Sequence, residues 1–286
     1  MKILLLGSSG LLGKNLYLSI SKKFNTYHNG LFKRKRDLNK TKNVELLLKC
    51  KPSIVINCFG ETDIEKCEIN KKHCYLKNVK FLKTLFYLKK KNNLNFKVIH
   101  FSTDQVYNNK KFLKNCENNK KKNYNYYTQT KILSENIIIK NGGMVLRTNF
   151  FGKSKTNKNS FSDWVYKSFK SKKNFLLFDD IFFSPLRISS INKYINLILK
   201  KGVKSGIYNL GSKKGMSKYE FAIKFAKYTQ IFSKKFTISK SKNYLKVNRP
   251  NYMIMNCKKF EKIYKIKLPY LIEEIKKESK VYLKNA

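Results

Sequence analysis

Arginine is scarce in this chain, although the chain is strongly basic. Of 63 Lys and Arg residues only five are arginine, at positions 34, 36, 147, 187 and 249, and the formal net charge is +46. Arginine is the usual residue for bidentate recognition of phosphates and bases. Because lysine spread along a whole chain is typical of a solvated surface, the charge alone does not favour a nucleic-acid-binding protein. The five arginines are therefore informative positions.

Paired cysteines and long apolar runs are also missing. The six cysteines, at 50, 58, 67, 74, 116 and 257, form no C-x-x-C pair, which argues against a metal centre or a disulfide framework. No run of about 18 apolar residues occurs, so a transmembrane helix is not expected. The N-terminal run KILLL is too short for a signal-peptide core. These absences favour a protein of the reducing cytoplasm with no metal site.

What the sequence does contain is an alternation of short apolar runs with helical patterns. Residues 2–6, 53–60, 96–104 and 143–152 read as strands, with another near 26–32. Such alternation predicts an α/β fold, a Rossmann-type doubly wound parallel sheet with helices on both faces. After residue 152 the rhythm loosens. We therefore predict a nucleotide-binding domain over 1–150, to which 185–202 returns, and a smaller C-terminal α+β substrate-binding region over 151–286.

The stretch GSSGLLG follows the first predicted strand and opens a helix. Its first glycine permits a tight turn, its second lets the backbone approach a pyrophosphate, and its third lets helix pack on strand. The helix N-terminus would then face the phosphates. The alternative is a plain glycine turn. The predicted dinucleotide contacts in this stretch are Gly7, Ser9, Gly10, Leu11, Leu12 and Gly13.

The segment after the second predicted strand indicates which dinucleotide is bound. NAD-specific sites usually carry an acidic residue about 20 residues beyond the glycines, for the ribose 2′-hydroxyl. No Asp or Glu occurs here between Gly13 and Asp37, and residues 33–36 read KRKR. A 2′-phosphate is the anion expected to meet them. The sequence thus predicts NADPH with Arg34 as a contact, and NADH is the alternative.

A tyrosine and a lysine share one face of a predicted helix. Tyr127 stands four residues before Lys131, whereas Tyr126 stands five before it and is expected to pack or to face substrate. A nearby ammonium lowers the pKa of a tyrosine, which is near 10 unperturbed, and makes the phenol a usable acid or base. Residues 102–104 end a predicted strand at the ligand-binding edge of the sheet. Thr103 could donate a hydrogen bond there, and the alternative is a helix cap.

Together these features resemble the extended short-chain dehydrogenase/reductases, most closely the dTDP-4-dehydrorhamnose reductase family. The matching stretches run in order along the chain: KILLLGSSGLLG, IVINCFGETDIEKCE with Asn78 beyond it, HFSTDQVY, YTQTK, LRTNFFG, FSPLRISSIN, GIYNLGS and NRPNYMIMN. The resemblance implies a catalytic set of Thr103, Tyr127 and Lys131, with Lys131 also holding the nicotinamide ribose. The further cofactor contacts expected from it are Asn57, Cys58, Phe59, Gly60, Ser102 and Tyr127.

The resemblance also implies a reaction, the NADPH-dependent reduction of a nucleotide-linked 4-keto-6-deoxy sugar in surface-polysaccharide synthesis. Thr103 would polarise the keto group, Tyr127 would donate the proton and Lys131 would tune Tyr127. Related 4,6-dehydratases need an acid directly after the Thr-Asp pair. Gln105 stands there and cannot act as that base, which favours a reductase.

Candidates for the substrate side lie outside the catalytic set. Arg249 and Arg187 are predicted cations for the substrate diphosphate. Phe150, Ile64 and Glu65 are further substrate-side candidates. The alternative is that the two apolar residues belong to the hydrophobic core and that Glu65 lies on the surface. Phe150 stands where the family often has tryptophan, so the sugar platform is expected to differ.

The sequence leaves open the roles of two further residues and two other classes of protein. In some members of the family an acidic residue helps bind Mg²⁺ at a dimer interface, and Glu117 is the residue of this chain that resembles it. Arg147 is expected to be structural. A regulatory subunit of methionine adenosyltransferase resembles the same family, so a non-catalytic cofactor-binding subunit is one alternative. A nucleic-acid or anion binder is the other. The expected partner is a nucleotide-diphospho-sugar, and no membrane partner is expected. A homodimer is compatible with the sequence.

Overall fold

The apolar runs of the N-terminal half form strands that end at glycine or small polar residues. The computed structural model describes residues 1–28, 47–107, 113–171 and 173–284. The strands are β1 Lys2–Leu6, β2 Asn25–His28, β3 Ile54–Asn57, β4 Lys97–Thr103, β5 Met144–Thr148, β6 Phe150–Phe151, β7 Phe175–Phe178, β8 Phe182–Phe183, β9 Leu186–Arg187, β10 Gly206–Leu210, β11 Met216–Ser217 and β12 Phe236–Ser239. The part of the predicted second strand beyond residue 28 lies outside the described residues.

Helices follow the strands as the periodicity predicts. They are α1 Leu11–Ile20, α2 Ile64–Ile69, α3 Lys71–Tyr75, α4 Phe81–Lys91, α5 Tyr126–Lys140, α6 Phe161–Lys170, α7 Ile188–Lys201, α8 Lys218–Tyr228, α9 Lys258–Tyr264 and α10 Leu271–Leu283. Residues 47–50 are also helical. A π-helical turn, Leu76–Lys80, joins α3 to α4. Within the described ranges, no helix combines the length and apolar character that crossing a membrane requires.

Six strands form one sheet in the order β10-β5-β4-β3-β1-β2. The neighbouring pairs β1–β2, β1–β3 and β3–β4 are parallel, with Leu6 in register with Asn57. Strand β2 pairs with one edge of β1, and β3, the next strand along the chain, pairs with the other edge. This reversal is the topological switch point of a doubly wound sheet, where the carboxyl ends of the two strands open a ligand crevice. The predicted α/β Rossmann-type fold class is confirmed.

One compact unit comprises Met1–Thr103, Asn125–Arg147 and Tyr194–Tyr208. Residues 3–6 of β1 and all of β3 are buried on both faces, as expected for parallel strands covered by helices. One core cluster joins Leu4, Val55 and Val98 of the sheet with helical residues such as Leu85 and Ile138. The unit therefore holds the strand ends and helix starts on which the predicted cofactor and catalytic residues lie.

The other compact unit comprises Asp104–Tyr124, Thr148–Lys193 and Asn209–Ala286. Its core is largely aromatic, with Phe151, Phe169, Phe221, Phe225 and Tyr282 in one buried cluster. Two-residue and four-residue strands pair within it, β7 with β12 in parallel and β8 with β11 antiparallel. It has its own core, and it contains the predicted substrate-side arginines.

Candidate active site

Two glycines of the first turn are required by packing and a third is not. Gly7 has a φ of +82°, and a Cβ there would lie 2.6 Å from the backbone of Phe59. A Cβ on Gly13 would lie 2.1 Å from the Gly7 carbonyl oxygen. A Cβ on Gly10 would meet only that same oxygen, at 3.4 Å. The fold therefore tolerates a side chain at Gly10, and the space beside it is available to a ligand.

The N-terminus of α1 is suited to an anion. Gly10 is its N-cap, no side chain caps it, and its first turn contains no acidic residue. Unsatisfied N–H groups and the helix dipole at such an end favour a phosphate. Because Leu6 and Asn57 are in register, residues 57–60 lie beside this turn. These features fit the pyrophosphate of a dinucleotide, whereas Arg34 lies outside the described residues.

Mutations at these glycines can separate effects on the stability of the fold from effects on dinucleotide binding. We expect Gly13→Ala to destabilise the protein by roughly 1–3 kcal/mol or more, because its Cβ overlaps backbone. Gly10→Ala should change the free energy of unfolding by about 1 kcal/mol at most and should weaken dinucleotide binding at least tenfold. Thermal unfolding and a dinucleotide fluorescence titration measure the two effects. Equal losses of stability in both variants would contradict this assignment.

The next predicted cofactor segment begins at the end of β3. The Asn57 side-chain oxygen accepts a hydrogen bond from the Phe59 N–H at 3.1 Å, and Cys58 is half-buried. The ring of Phe59 packs on Phe81 with centroids 4.5 Å apart. A Cβ on Gly60 would lie 2.8 Å from the side-chain oxygen of Asn78. In this segment the Phe59 ring is committed to the core.

Helix α5 starts so that Tyr127 falls in its first turn. Asn125 accepts from the Thr128 N–H and Thr128 accepts from the Asn125 N–H, a capping box that fixes the start at Tyr126. The side chains of Tyr127 and Lys131 are buried. The Lys131 ammonium donates to the carbonyl of Phe101 at 2.6 Å. Since Phe101 lies on β4, this bond ties the helix to the strand that ends in Thr103.

Tyr126 has a different environment from Tyr127. Its N–H donates to a Glu68 carboxylate oxygen at 2.9 Å, and its ring lies under the Lys71 ammonium at 5.8 Å. Burial raises the pKa of the Tyr126 phenol above its usual value. These contacts agree with a packing role for Tyr126.

A buried histidine, which the sequence did not identify, contacts the predicted catalytic lysine. His100 lies on β4, with Nε2 3.3 Å from Lys131 Nζ and Nδ1 3.0 Å from Asn57 Nδ2. The Phe59 N–H fixes the Asn57 side-chain oxygen, so the Asn57 amide group donates to Nδ1. The ring proton then resides on Nε2 and points at Lys131. This arrangement is best satisfied when Lys131 is a neutral amine that accepts from His100.

The pKa values of Lys131 and His100 are both lowered. Burial, followed by the charge of Lys131, lowers the pKa of the His100 imidazole well below its usual value. Burial lowers the pKa of the Lys131 ammonium to about 8, against an opposing effect of the Glu135 carboxylate. Lys131 can thus gain or lose a proton close to neutral pH. Asn57 and His100 are positioned to respond to that change.

The Lys131 shift predicts how stability depends on pH. An unfolded lysine has a pKa of about 10.4. Between about pH 8 and that value the unfolded chain therefore binds more protons than the folded chain. The free energy of unfolding should therefore rise with pH across this window, by at most about 1.4 kcal/mol per pH unit. Urea unfolding at several pH values gives the free energy of unfolding of the cofactor-free wild type and of Lys131→Met. The difference between the two values at each pH isolates the contribution of Lys131. A difference that stays flat between about pH 7 and pH 10 would contradict the shift.

A buried ion pair anchors the other end of α5. Arg147 and Glu135 are both fully buried, and the guanidinium donates to the two carboxylate oxygens at 2.9 and 2.7 Å. The Ser102 hydroxyl donates to the same carboxylate at 2.6 Å. Arg147 is structural, as expected. The Ser102 hydroxyl is committed to this network, so a cofactor contact from Ser102 would have to come from its backbone.

Asn78, within the π-helical turn, connects several segments of the first unit. Its side-chain oxygen accepts from the Glu61 N–H at 2.7 Å, and its amide group donates to the Thr130 hydroxyl at 3.0 Å. Its carbonyl accepts from the Ser134 hydroxyl at 2.7 Å. The turn thereby holds α5 against the segment that follows Gly60.

The substrate-side candidates of the first unit lie at the start of α2. Asp63 caps this helix by accepting from the Lys66 N–H. Ile64 is buried, which agrees with the alternative that it belongs to the core. Glu65 is half-buried in the first turn. A substrate contact from either residue stays a prediction.

The second unit contains a cavity of about 690 Å³ that includes Arg249. Its lining residues are Lys122, Tyr124, Asp179, Asp180, Phe182, Lys240, Asn248, Arg249, Asn251 and Tyr252. Asp179 accepts from Lys240 at 2.8 Å, and Asp180 accepts from Ser241 and Asn251. Both carboxylates therefore have partners within the unit. The rings of Phe182 and Tyr252 lie 5.4 Å apart and give the cavity an aromatic wall.

A second cation lies close to Arg249. Burial and then the charge of Arg249 lower the pKa of the Lys218 ammonium to about 8. The Asp104 and Asp180 carboxylates oppose this shift. Nothing in the sequence distinguished Lys218 from the chain's other lysines.

The remaining candidates of the second unit have contacts inside it. The Arg187 guanidinium lies 3.6 Å from carboxylates of both Glu274 and Glu278, and its role as a diphosphate ligand stays a prediction. Glu117 accepts from the Asn209 N–H at 2.8 Å. Phe150 is half-buried on β6, and its role as a sugar platform stays a prediction.

The fold and this arrangement of residues define an extended short-chain dehydrogenase/reductase with a Rossmann-type sheet. The model of the RmlD substrate binding domain matches residues 1–283, and the chain belongs to that family. The family predicted from the sequence is thus confirmed. No curated protein matches the chain with a significant score.

Solved structures share the fold at low sequence identity. A dTDP-4-dehydrorhamnose reductase of Clostridium acetobutylicum is 20% identical, with a TM-score of 0.86 and 99% of each chain covered. That of Bacillus anthracis, in complex with NADP, is 20% identical, with a TM-score of 0.85 over 97% of this chain and 98% of that one. A dTDP-glucose 4,6-dehydratase of B. anthracis, in complex with NAD, is 17% identical, with a TM-score of 0.81 over 100% and 97%. Because a dehydratase shares the fold, the fold alone does not select the reaction.

Proposed function

We propose that this protein is an NADPH-dependent reductase of a nucleotide-linked 4-keto-6-deoxy sugar, acting in surface-polysaccharide synthesis. The observation that carries the proposal is the bond from Lys131 to the Phe101 carbonyl. It holds the helix of Tyr127 against the strand that ends in Thr103. Family membership supports the reaction class.

Each residue of the set has a proposed task. Bound NADPH would supply the hydride for the keto carbon. Thr103 would donate a hydrogen bond to the keto oxygen and stabilise the charge that develops there. Tyr127 would protonate that oxygen as a general acid. Lys131, when protonated, would lower the pKa of Tyr127, and His100 with Asn57 would position Lys131.

Gln105 separates this proposal from dehydration. A 4,6-dehydratase must remove a proton beside the keto group, and an uncharged carboxamide cannot act as that base. Gln105 lies in the short 3-10 turn Asp104–Val106. A non-catalytic cofactor-binding subunit is the second candidate, and the buried, hydrogen-bonded Lys131 argues for catalysis instead.

The cavity at Arg249 is the proposed site of the substrate diphosphate. Loss of a charge-assisted hydrogen bond costs about 1.5–3 kcal/mol, so Arg249→Gln should raise the KM for the nucleotide sugar roughly 10- to 100-fold. The Kd for NADPH should stay unchanged. Lys240→Gln is the matched control, since Lys240 lines the same cavity but is paired with Asp179. An unaltered KM in Arg249→Gln would place the diphosphate elsewhere.

The reductase proposal is tested by NADPH consumption with a panel of 4-keto-6-deoxy sugar nucleotides. We expect loss of NADPH absorbance with one panel member and a lower rate with NADH. Tight NADPH binding without turnover on any member would favour the regulatory candidate. A pull-down for a protein partner would then follow.

A further inference from the structure

Two cysteines of the first unit place their sulfur atoms in direct contact. The Sγ atoms of Cys67 and Cys74 lie 2.7 Å apart, and both side chains are fully buried. Both are free thiols. A disulfide bond measures about 2.05 Å, so a small approach of the two sulfur atoms would suffice to form one.

The backbone between the two cysteines forms a corner. Cys67 belongs to α2 and Cys74 to α3. Asn70 separates these helices with φ −121° and ψ 74°, outside the helical region. The thiols therefore meet across a helix junction.

The surroundings make the two thiols chemically different. The two sulfur atoms share a hydrogen bond, and the Asn78 amide group donates to Cys74 Sγ at 3.4 Å. Thr130 Oγ1 lies 3.6 Å from it. The hydrogen bond between the two thiols lowers the pKa of Cys74 and raises the pKa of Cys67. Cys74 is thus the sulfur that more readily becomes a thiolate nucleophile.

We propose that Cys67 and Cys74 form an oxidation site that closes to an intramolecular disulfide on reaction with hydrogen peroxide. The Cys74 thiolate attacks a peroxide oxygen, the O–O bond breaks, and a sulfenic acid and one water form. The Cys67 sulfur then attacks the sulfenic sulfur, the S–O bond breaks, and a second water leaves. Two thiols lose two electrons and two protons, and the peroxide is reduced to two waters. The proposal does not depend on the reductase activity.

The site lies beside the helix that carries Tyr127. The Thr130 hydroxyl donates to the Tyr127 carbonyl at 2.8 Å and contacts Cys74. Conversion to a disulfide removes the Cys74 thiol that Thr130 and Asn78 face. Oxidation would therefore change the packing behind this helix.

The sequence allows a direct test by peptide mapping. Trypsin cleaves after Lys66, Lys71, Lys72 and Lys77, so Cys67 lies on peptide 67–71 and Cys74 on peptide 73–77. The native protein is treated with hydrogen peroxide, alkylated in denaturant and digested without reductant. We expect the two peptides as one species, two hydrogens lighter than their sum, that separates on reduction.

Three variants sharpen the test. Cys67→Ser should block the cross-link and leave a sulfenic acid at Cys74 that a dimedone probe labels. Cys50→Ser is the matched control, since Cys50 is buried but contacts the Leu47 carbonyl, and it should cross-link as the wild type does. Cys74→Ser should leave Cys67 unlabelled by dimedone. Unlinked peptides in wild type under conditions that oxidise half-buried Cys116, or equal yields from urea-unfolded protein, would overturn the proposal.

Discussion

Tyr127→Phe is expected to lower kcat about 10²- to 10⁴-fold, the usual contribution of a positioned general acid. The substitution removes one hydroxyl and keeps the buried ring, so the fold should be retained. The Kd for NADPH should change little, because the phenol acts on the keto oxygen. Single-turnover kinetics with saturating NADPH measures the chemical step.

The adjacent tyrosine supplies the control for this experiment. Tyr126→Phe makes the same chemical change one residue earlier, on a ring that packs against Lys71, and it leaves the backbone bond to Glu68 in place. It should leave kcat within a few-fold of wild type. If Tyr126→Phe were the variant that lost activity, the assignment of the proton donor would be reversed.

Arg147→Met is expected to destabilise the protein by about 3–5 kcal/mol, since it leaves a buried carboxylate without its cation. The Ser102 hydroxyl would still donate to Glu135, but a hydroxyl does not neutralise its charge. Urea unfolding at constant pH measures the loss as a change in the free energy of unfolding.

The double variant Glu135→Met/Arg147→Met should recover most of that loss. Apolar residues of similar volume often replace a buried ion pair at little cost. Lys66→Ala is the exposed control, because the Lys66 side chain is 72% exposed at its ion pair with Asp63, and it should cost about 0–1 kcal/mol. A double variant as unstable as the single one would show that uncompensated charge is not the cause.

The fold was predictable wherever one local pattern determines an element. Short apolar runs ending at glycine or at Ser-Thr placed β1, β3 and β4, because a strand buried on both faces requires such runs. The glycine spacing predicted the turn, and the coordinates explain why Gly7 and Gly13 are fixed while Gly10 is not. The π-helical turn at Leu76–Lys80 interrupts a continuous helical pattern, and nothing in that pattern marks it.

The candidate site was predictable in its parts but not in its connections. Tyr127 and Lys131 share a face through local spacing alone. His100 stands within an apolar strand, and its partners Asn57 and Lys131 are distant in sequence, so only the folded sheet and helix bring them together. Arg187 lies near Glu274 and Glu278 of a helix distant in sequence, so local patterns do not reveal these ion pairs.

The central claim is that hydride is transferred to a nucleotide-linked keto sugar. The most direct test uses NADPH deuterated at nicotinamide C4 in the transferred position, with the active panel member as substrate. The account predicts one deuterium at C4 of the product sugar for wild type and a strongly reduced yield for Tyr127→Phe. NADPH that binds but transfers no deuterium to the sugar, or a product that has lost water, would contradict it.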